Sequence, residues 1–428
     1  MTQPALHLLK PRNTVAFFAT VALMVGLYTG SPGIVFLGTA CLASVVVAFL
    51  EARGLLADVS GERTHLPRAF QNGSVAIALS LRTGKRAGPE FLLAEDYCPP
   101  AAASKIRRLI PAPLMPDVAQ EIHYIATCDH RRGIYVLGPV RLEALDALGF
   151  FRREVSLELY TDLLVYPLAV DLEDFEVLAD GTVAHVGLET TRRLGVSEEF
   201  VGIREYRQGD SPRYVHWRST ARHNRLMVKE FQEERTTLVT LMVDLGQLGL
   251  VGVGDHTSVE YGIKAAASIA RRTAKRGHRL QYFGISEKID HVPAGQGTGH
   301  LLAILDRLAF ARAEGKSAFA IVARDLSRNL PRGSTMVLIT GAAAAELEPL
   351  SAVVAETTVR RILPIVVLID DRAFIKILRE QEILHANAAP LEEIARSLRL
   401  QGARVYVIRR SRTLEEALAQ GLSLEANL

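Results

Sequence analysis

A chain of 428 residues exceeds what one ordinary hydrophobic core organises, so two or three domains are expected. Its formal net charge of +3 is nearly neutral for that length, which excludes a global nucleic-acid-binding field and makes any basic face local. Apolar residues at 49% against 23% charged suit globular domains with an added membrane segment, and the three cysteines, Cys41, Cys98 and Cys128, make no disulfide framework and point to a reduced setting.

Residues 14–30 (TVAFFATVALMVGLYTG) and 34–50 (IVFLGTACLASVVVAFL) carry no charge, and Gly30, Ser31, Pro32 and Gly33 break the chain between them. Each run spans ~25 Å as a helix, near the short end for a bilayer core. A transmembrane helical hairpin is therefore expected over residues 1–55, in preference to a signal peptide or a buried helical pair. His7, Lys10 and Arg12 precede the first run and Arg53 and Arg63 follow the second. The positive-inside rule then puts both ends in the cytoplasm and hangs the rest of the chain below the membrane.

Residues 56–168 read as short alternating runs broken by Gly, Pro and Asn, the pattern of antiparallel strands: 74–81, 121–127, 133–137, 155–159 and 163–167. They predict a β-sandwich-like domain, with an irregular proline-rich insertion between Pro99 and Pro116. Residues 169–236 form a polar connector followed by a dense basic element, GIREYRQGDSPRYVHWRSTARHNRLMVKEF, which begins at Gly202 and contains the only tryptophan, Trp217.

Residues 237–428 change rhythm, with fully apolar strands at 238–243, 279–285, 335–340, 364–369 and 404–408. Amphipathic helices at 256–276, 299–311, 318–329, 342–359 and 391–400 alternate with them. This predicts an α/β doubly wound parallel sheet. Ligands of such sheets sit at the carboxyl ends of the strands, here near Asp244 and Asp370-Asp371.

The strand arrangement resembles a von Willebrand factor A domain, whose metal site begins D-x-S-x-S. This chain reads Asp244-Leu245-Gly246-Gln247-Leu248, so both serines are missing. Thr298 is the candidate for the family's threonine, and the second aspartate falls near Gly341 and is absent. A remnant that holds no metal is expected. No H-E-x-x-H, C-x-x-C, G-x-S-x-G or P-loop occurs, and Asp210, Ser211 and His216 lack the surroundings of a catalytic triad.

In the basic element, Asp210-Ser211-Pro212 reads as a helix start for residues 212–223, with Asp210 as N-cap. That helix would align Arg213, Trp217 and Thr220 on one face and Val215, Arg218 and Arg222 on another. A strand over 225–231 would put Leu226 and Val228 on one side. The arginines serve either internal pairing with Glu205, Glu230, Glu233 and Glu234, or docking to carboxylates or phosphate on a partner.

Arg204-Glu205-Tyr206, Gly209-Asp210, Arg213, Trp217, Ala221-Arg222 and Lys229-Glu230-Phe231 together resemble the signature R-E-Y-x-x-G-D-x-x-R-x-(I/V)-x-W-x-x-x-A-R-x-x-x-L-x-V-K-E-F of the domain-of-unknown-function 58 proteins of bacteria and archaea. Arg132-Gly133, Tyr135 and Gly138-Pro139 resemble their R-G-x-Y-x-x-G-P segment. Asp146-Ala147-Leu148-Gly149-Phe150 is similar to their D-P-F-G-L, with alanine for proline.

The resemblance implies a protein of the bacterial cytoplasmic membrane, encoded beside a MoxR-type AAA+ ATPase and other A-domain proteins. Such proteins act with that ATPase in assembly, maturation or envelope stress. It implies no catalytic residue and no cofactor. The reading is a non-enzymatic adaptor that contacts the bilayer through residues 14–50, binds no nucleic acid and interacts through the signature element Arg204, Glu205, Tyr206, Arg207, Gly209, Asp210, Arg213, Trp217, Arg218 and Arg222, with Arg204, Arg207, Arg213, Arg218 and Arg222 as the docking face and Asp210 and Trp217 holding its shape. Its rivals are a metal-dependent hydrolase or ligand-binding A-type domain using Asp244, Asp370 and Asp371, and a self-associating envelope protein.

Overall fold

Two apolar helices open the structure, a computed structural model that describes residues 11–84, 89, 91–110, 114–116, 118–173, 175, 177, 198–208, 210–233, 236–247, 252–253, 256–315, 318–341, 347–370, 391–409 and 414–419. Helix α1 is Pro11–Thr29 and α2 is Pro32–Gly54. Gly30 supplies the positive φ (66°) of the break, and Ser31 with Pro32 starts α2. The pair packs through small residues, with Ala19, Gly38, Ala48 and Ala52 buried. A methyl group on Gly38 would come 2.9 Å from the backbone nitrogen of Leu23, so only glycine allows this approach. The larger apolar side chains, among them Phe17, Met24, Phe36, Leu37 and Val47, point outward and stay exposed. Among the described residues one helix, α2, is long and apolar enough to cross a membrane. Helix α1, shorter and opening with Arg12 and Asn13, is not counted with it.

The chain divides into two compact units, Met1–Ala169 with Leu305–Ala311, and Val170–Ile304 with Arg312–Leu428. In the first, β1 (Val59–His65), β3 (Ser74–Thr83) and β6 (Gln120–Thr127) form one antiparallel sheet in the order β1-β3-β6. Strands β2 (Arg68–Phe70), β10 (Thr161–Tyr166) and β7 (Gly133–Leu137) form a second, in which β2 runs parallel to β10. The third sheet, ordered β5-β4-β8-β9, contains β4 (Phe91–Tyr97), β5 (Lys105–Ile110), β8 (Val140–Leu145) and β9 (Arg152–Leu157). Strand β3 buries every second residue, which sends Ile77, Leu79 and Leu81 into the core with Leu92, Leu142 and Leu163.

The segment expected to be an irregular insertion therefore contains a strand. β5 pairs with β4 but lies at a sheet edge, and its outward Lys105 and Arg107 reach Glu95 at 3.3 and 2.7 Å. An edge strand with charged outward residues loses the apolar alternation that reveals strands in sequence.

Within this core, Arg63 and Asp96 are paired and buried, with side chains 0% and 2% exposed. Arg63 Nε donates to Asp96 Oδ2 at 3.1 Å, and its Nη1 donates to the carbonyls of Leu137 (3.1 Å) and Leu159 (2.8 Å). Tyr124 donates its hydroxyl to the same carboxylate, and burial together with that negative charge pushes its phenol well above the usual range. Burial likewise pushes the Cys98 thiol up to about 12, which leaves it unreactive. Cys41, Cys98 and Cys128 are all free thiols.

In the second unit six strands form one sheet: β13 (Leu238–Asp244), β16 (Arg279–Ile285), β17 (Ile289–Gly295), β18 (Thr335–Gly341), β19 (Leu363–Ile369) and β20 (Arg404–Ile408), ordered β17-β16-β13-β18-β19-β20. A two-stranded ribbon of β14 (Gly252–Val253) and β15 (His256–Thr257) precedes α4 (Ser258–Lys275). Every neighbouring pair in the sheet is parallel except β16 and β17. Strand β17 falls in a stretch where the sequence predicted no strand. Pro293 and Gly295 hide its pattern, and an edge strand tolerates both.

The all-buried strand β18 has helices over both of its faces. Leu338 packs with residues of α6 (Phe319–Ser327), α7 (Leu347–Val359) and α8 (Leu391–Leu400), while Ile339 meets α4 at Gly262. Helix α5 (Thr298–Phe310) and the short α9 (Leu414–Ala419) complete the fold. The expected polar connector is also corrected in part. Phe175 is buried against Tyr406 with ring centroids 5.0 Å apart, and the Val170 amide donates to Ser268 Oγ at 3.0 Å.

Candidate functional site

The basic element folds as a small module on a two-stranded ribbon, β11 (Glu198–Glu205) with β12 (Met227–Glu233). Between the strands run a 3-10 turn, Pro212–Tyr214, and the short helix α3, Trp217–His223. The single helix expected over 212–223 is therefore interrupted. Val215 takes an extended conformation and bridges to Val228, and the His216 amide donates to the Met227 carbonyl at 2.8 Å. Pairing with β12 thus outcompetes helix continuation, and Arg213, Val215 and Trp217 do not share helical faces.

Asp210 does not cap a helix either. His216 caps α3, its Nδ1 accepting from the Ser219 amide at 3.2 Å. Asp210 instead accepts a two-pronged contact from Arg204, at 2.7 Å to Oδ2 and 2.8 Å to Oδ1, and a third hydrogen bond from the Arg207 amide at 2.7 Å. These donors, Arg204 foremost, hold its carboxyl at about 2. Glu205 pairs with Arg225 at 2.8 Å on the open surface.

Val215 and Val228 are the buried apolar residues of the module among those described. Leu226, expected beside Val228, precedes the strand and is 47% exposed. Trp217 is 70% exposed, and Tyr206 and Tyr214 are exposed near it in sequence. Arg207, Arg213, Arg218 and Arg222 are exposed, and none makes an ion pair among the described residues. Arg218 and Arg222 stand one turn apart on α3. Gly209 lies outside the described residues, as do Asp371 and Glu234.

A second feature is the recess at the carboxyl ends of β13, β18 and β19, lined by Asp244, Ser258, Gly262, Thr340 and Gly341 among others. Asp244 is held from both sides: the Gly246 amide donates to Oδ1 at 3.0 Å and the Thr340 hydroxyl to Oδ2 at 2.8 Å. Ser258 and Thr340 were missed in the sequence because they lie 14 and 96 residues from Asp244 and no motif spacing links them. Thr298 starts α5 and does not line the recess. Asp370 is not at the recess and lies 3.8 Å from Arg409. The donor set beside Asp244 consists of two hydroxyls and no second carboxylate among the described lining residues, a weak cradle for a divalent cation.

Two of the R-G-x-Y-x-x-G-P residues, Arg132 and Gly138, are fixed within the fold. Arg132 is buried and caps the end of α5, donating from Nε to the Leu308 carbonyl at 2.8 Å and from Nη2 to the Ala311 carbonyl. Gly138 has φ +106°, and a methyl there would overlap the Leu159 carbonyl oxygen at 2.0 Å.

Part of the chain matches a known protein family. Residues 202–372, which include most of the basic module and the sheet through β19, match the family described as Protein of unknown function DUF58. The chain is also similar to the uncharacterized protein YeaD of Bacillus subtilis (strain 168), 24% identical over 213 residues. That alignment covers 49% of this chain and 51% of YeaD, so the chain spans about half the length of the curated relative it matches. Among solved structures, proximal thread matrix protein 1 from the mussel byssus aligns with 44% of this chain and 47% of its own, at TM-score 0.30 and 10% identity. A second crystal form of it aligns at TM-score 0.25 and 10% identity, over 39% and 47%. Scores this low carry no argument about fold or activity.

Proposed function

We propose that this protein is a non-enzymatic, membrane-tethered adaptor whose basic module docks an acidic face of a MoxR-type AAA+ ATPase or another A-domain protein. The observation that carries the reading is the exposure of Trp217 in a stretch whose Arg207, Arg213, Arg218 and Arg222 are exposed and make no ion pair among the described residues. Trp, Tyr and Arg are the residues that dominate interface energetics, and a folded protein gains nothing from leaving an indole in water. Arg204 and Asp210 act inside the module, fixing the turn that presents the others.

The tether is the α1–α2 pair, read as a two-span hairpin with the soluble domains on the cytoplasmic side. Small-residue packing between the helices and outward Phe, Leu, Met and Val side chains fit lipid as the surrounding solvent. The α/β unit is read as a degenerate von Willebrand factor A-like domain, supported by the antiparallel edge strand β17 and by the reversal of strand order beside β13.

The test is capture of the cognate ATPase by the full chain. Replacing Arg213 and Arg222 by Ala is expected to abolish capture while stability stays within ~1 kcal/mol. Undiminished capture by that double variant rejects the docking surface.

A second reading, a metal-dependent hydrolase or ligand-binding A-type domain, is favoured by one observation, the recess beside Asp244. Titration calorimetry with magnesium and manganese decides it: saturable heat that Asp244→Ala erases supports the reading.

A further inference from the structure

The D-A-L-G-F segment, Asp146 to Phe150, is the tip of the β8–β9 hairpin, and nothing in the adaptor reading uses it. Its shape is fixed from within. Asp146 is buried, and its carboxylate accepts the amides of Phe151 (2.5 Å) and Leu148 (3.2 Å). Its carbonyl accepts the Gly149 amide at 2.9 Å, and Gly149 takes the positive φ of +69° that closes the turn. This rigid tip holds Leu148 out, 54% exposed. A lone exposed leucine is ordinary by itself, so its position in the fold has to carry the argument.

The position of the tip along α2 indicates which surface. The Phe151 ring lies 5.4 Å from that of Phe49, with Arg12 5.3 Å above Phe151 and Arg53 4.4 Å above Phe49. Phe49 sits where the uncharged run of α2 stops, one turn before Arg53. Phe151 is therefore held at the end of that run, and Leu148, three residues before it, is within ~10 Å of it along the chain. Basic residues concentrate where a spanning helix leaves the bilayer core on the cytoplasmic side, and aromatic side chains collect at the same level.

The local charge is basic. Arg12 and Arg53 lie at these rings and Arg153 is exposed on β9, while α2 itself carries a single acid, Glu51. Arg152 is already engaged by Glu143 and, at 3.0 Å, by Glu154.

We infer that the Asp146–Phe151 tip is a membrane-interface contact that seats Leu148 among lipid headgroups, with Arg12, Arg53 and Arg153 selecting an anionic leaflet. The inference rests on the reading of α1–α2 as a membrane tether. It converts a flexible attachment into an oriented one, because a second contact beside the helix exit fixes how the first unit stands on the membrane.

The experiment uses the full chain with Trp217→Phe and Leu148→Trp, reconstituted into phosphatidylcholine vesicles with or without phosphatidylglycerol and with lipids brominated at shallow or deep acyl positions. The expected result is severalfold stronger quenching of the position-148 indole by shallow than by deep bromine, deepened by phosphatidylglycerol. Protein that floats with the vesicles but is quenched by neither lipid overturns the inference and leaves the tether standing. Protein that fails to float overturns both. Equal quenching with and without phosphatidylglycerol overturns the anionic preference. Leu148→Cys with an environment-sensitive dye supplies the same readout if the tryptophan variant misfolds.

Discussion

Arg204 and Asp210 lock together through two parallel hydrogen bonds of 2.7 and 2.8 Å, and this pair closes the turn that leads from β11 into the exposed basic surface. The arrangement separates two classes of arginine in one short stretch. Arg204 is spent on architecture, whereas Arg213, Arg218 and Arg222 are left facing water.

The pair makes the module pH-dependent in a defined window. Asp210 titrates at about 2 when folded, below the ~3.9 of an unfolded aspartate. A depressed carboxyl contributes stability that is fully present above the unfolded value and is lost as pH falls through the folded one. The module is expected to hold its structure down to about pH 4 and to loosen between there and about pH 2. Amide exchange at Arg207 and Tyr206 followed by NMR checks this, and Asp210→Asn is expected to abolish the dependence.

Trp217 is expected to behave as an interface residue and not as a core residue. At 70% exposure, Trp217→Ala changes stability by no more than ~0.5 kcal/mol, yet weakens partner binding by ~2 kcal/mol or more. Thermal unfolding and a binding isotherm on the same variant separate the two effects. A large drop in stability would place the indole in the core of the module.

Arg63→Ala is expected to cost ~3–5 kcal/mol, because it strands the buried Asp96 carboxylate without its cation. Adding Asp96→Asn to Arg63→Ala, which removes the stranded charge and keeps a hydrogen-bonding group of the same shape, is expected to recover part of that loss. Denaturant midpoints of the single and double variants give the order, and a double variant no more stable than the single one would argue against charge stranding as the cause.

Gly138→Ala is expected to destabilise the first unit by more than ~2 kcal/mol, since φ of +106° and the Leu159 carbonyl leave no place for a methyl group. Gly133→Ala is the control: it also has a positive φ but has open space around it, so it carries the backbone strain without the overlap. Thermal midpoints that are equal in the two variants would remove the steric explanation.

Filling the helix contact is expected to separate α1 from α2. Gly38→Leu places a branched side chain where Leu23 and Ala19 leave no room for even a methyl group. Reduced cross-linking between cysteines introduced at facing positions of α1 and α2 would report it.

Much of the α/β unit was legible in the sequence because strands buried on both faces leave uninterrupted apolar runs. The strands at Arg279–Ile285 and Arg404–Ile408 and the helix at Leu391–Leu400 match their expected spans. The edge strands β5 and β17 were illegible because one side of each faces solvent and carries charge, proline or glycine. The signature residues were recognisable as a set, but their division of labour was not.

Local sequence determined which segments are apolar, where turns must fall and that a dense basic stretch surrounds one tryptophan, since propensity and periodicity act over a few residues. Only the tertiary structure decided that Val215 pairs with Val228 and splits a helix, that Thr340 reaches Asp244 across 96 residues, and that Arg63 lies buried while Arg213 does not. The physical reason is that burial and long-range hydrogen bonding depend on which distant segments meet, and no local pattern encodes that.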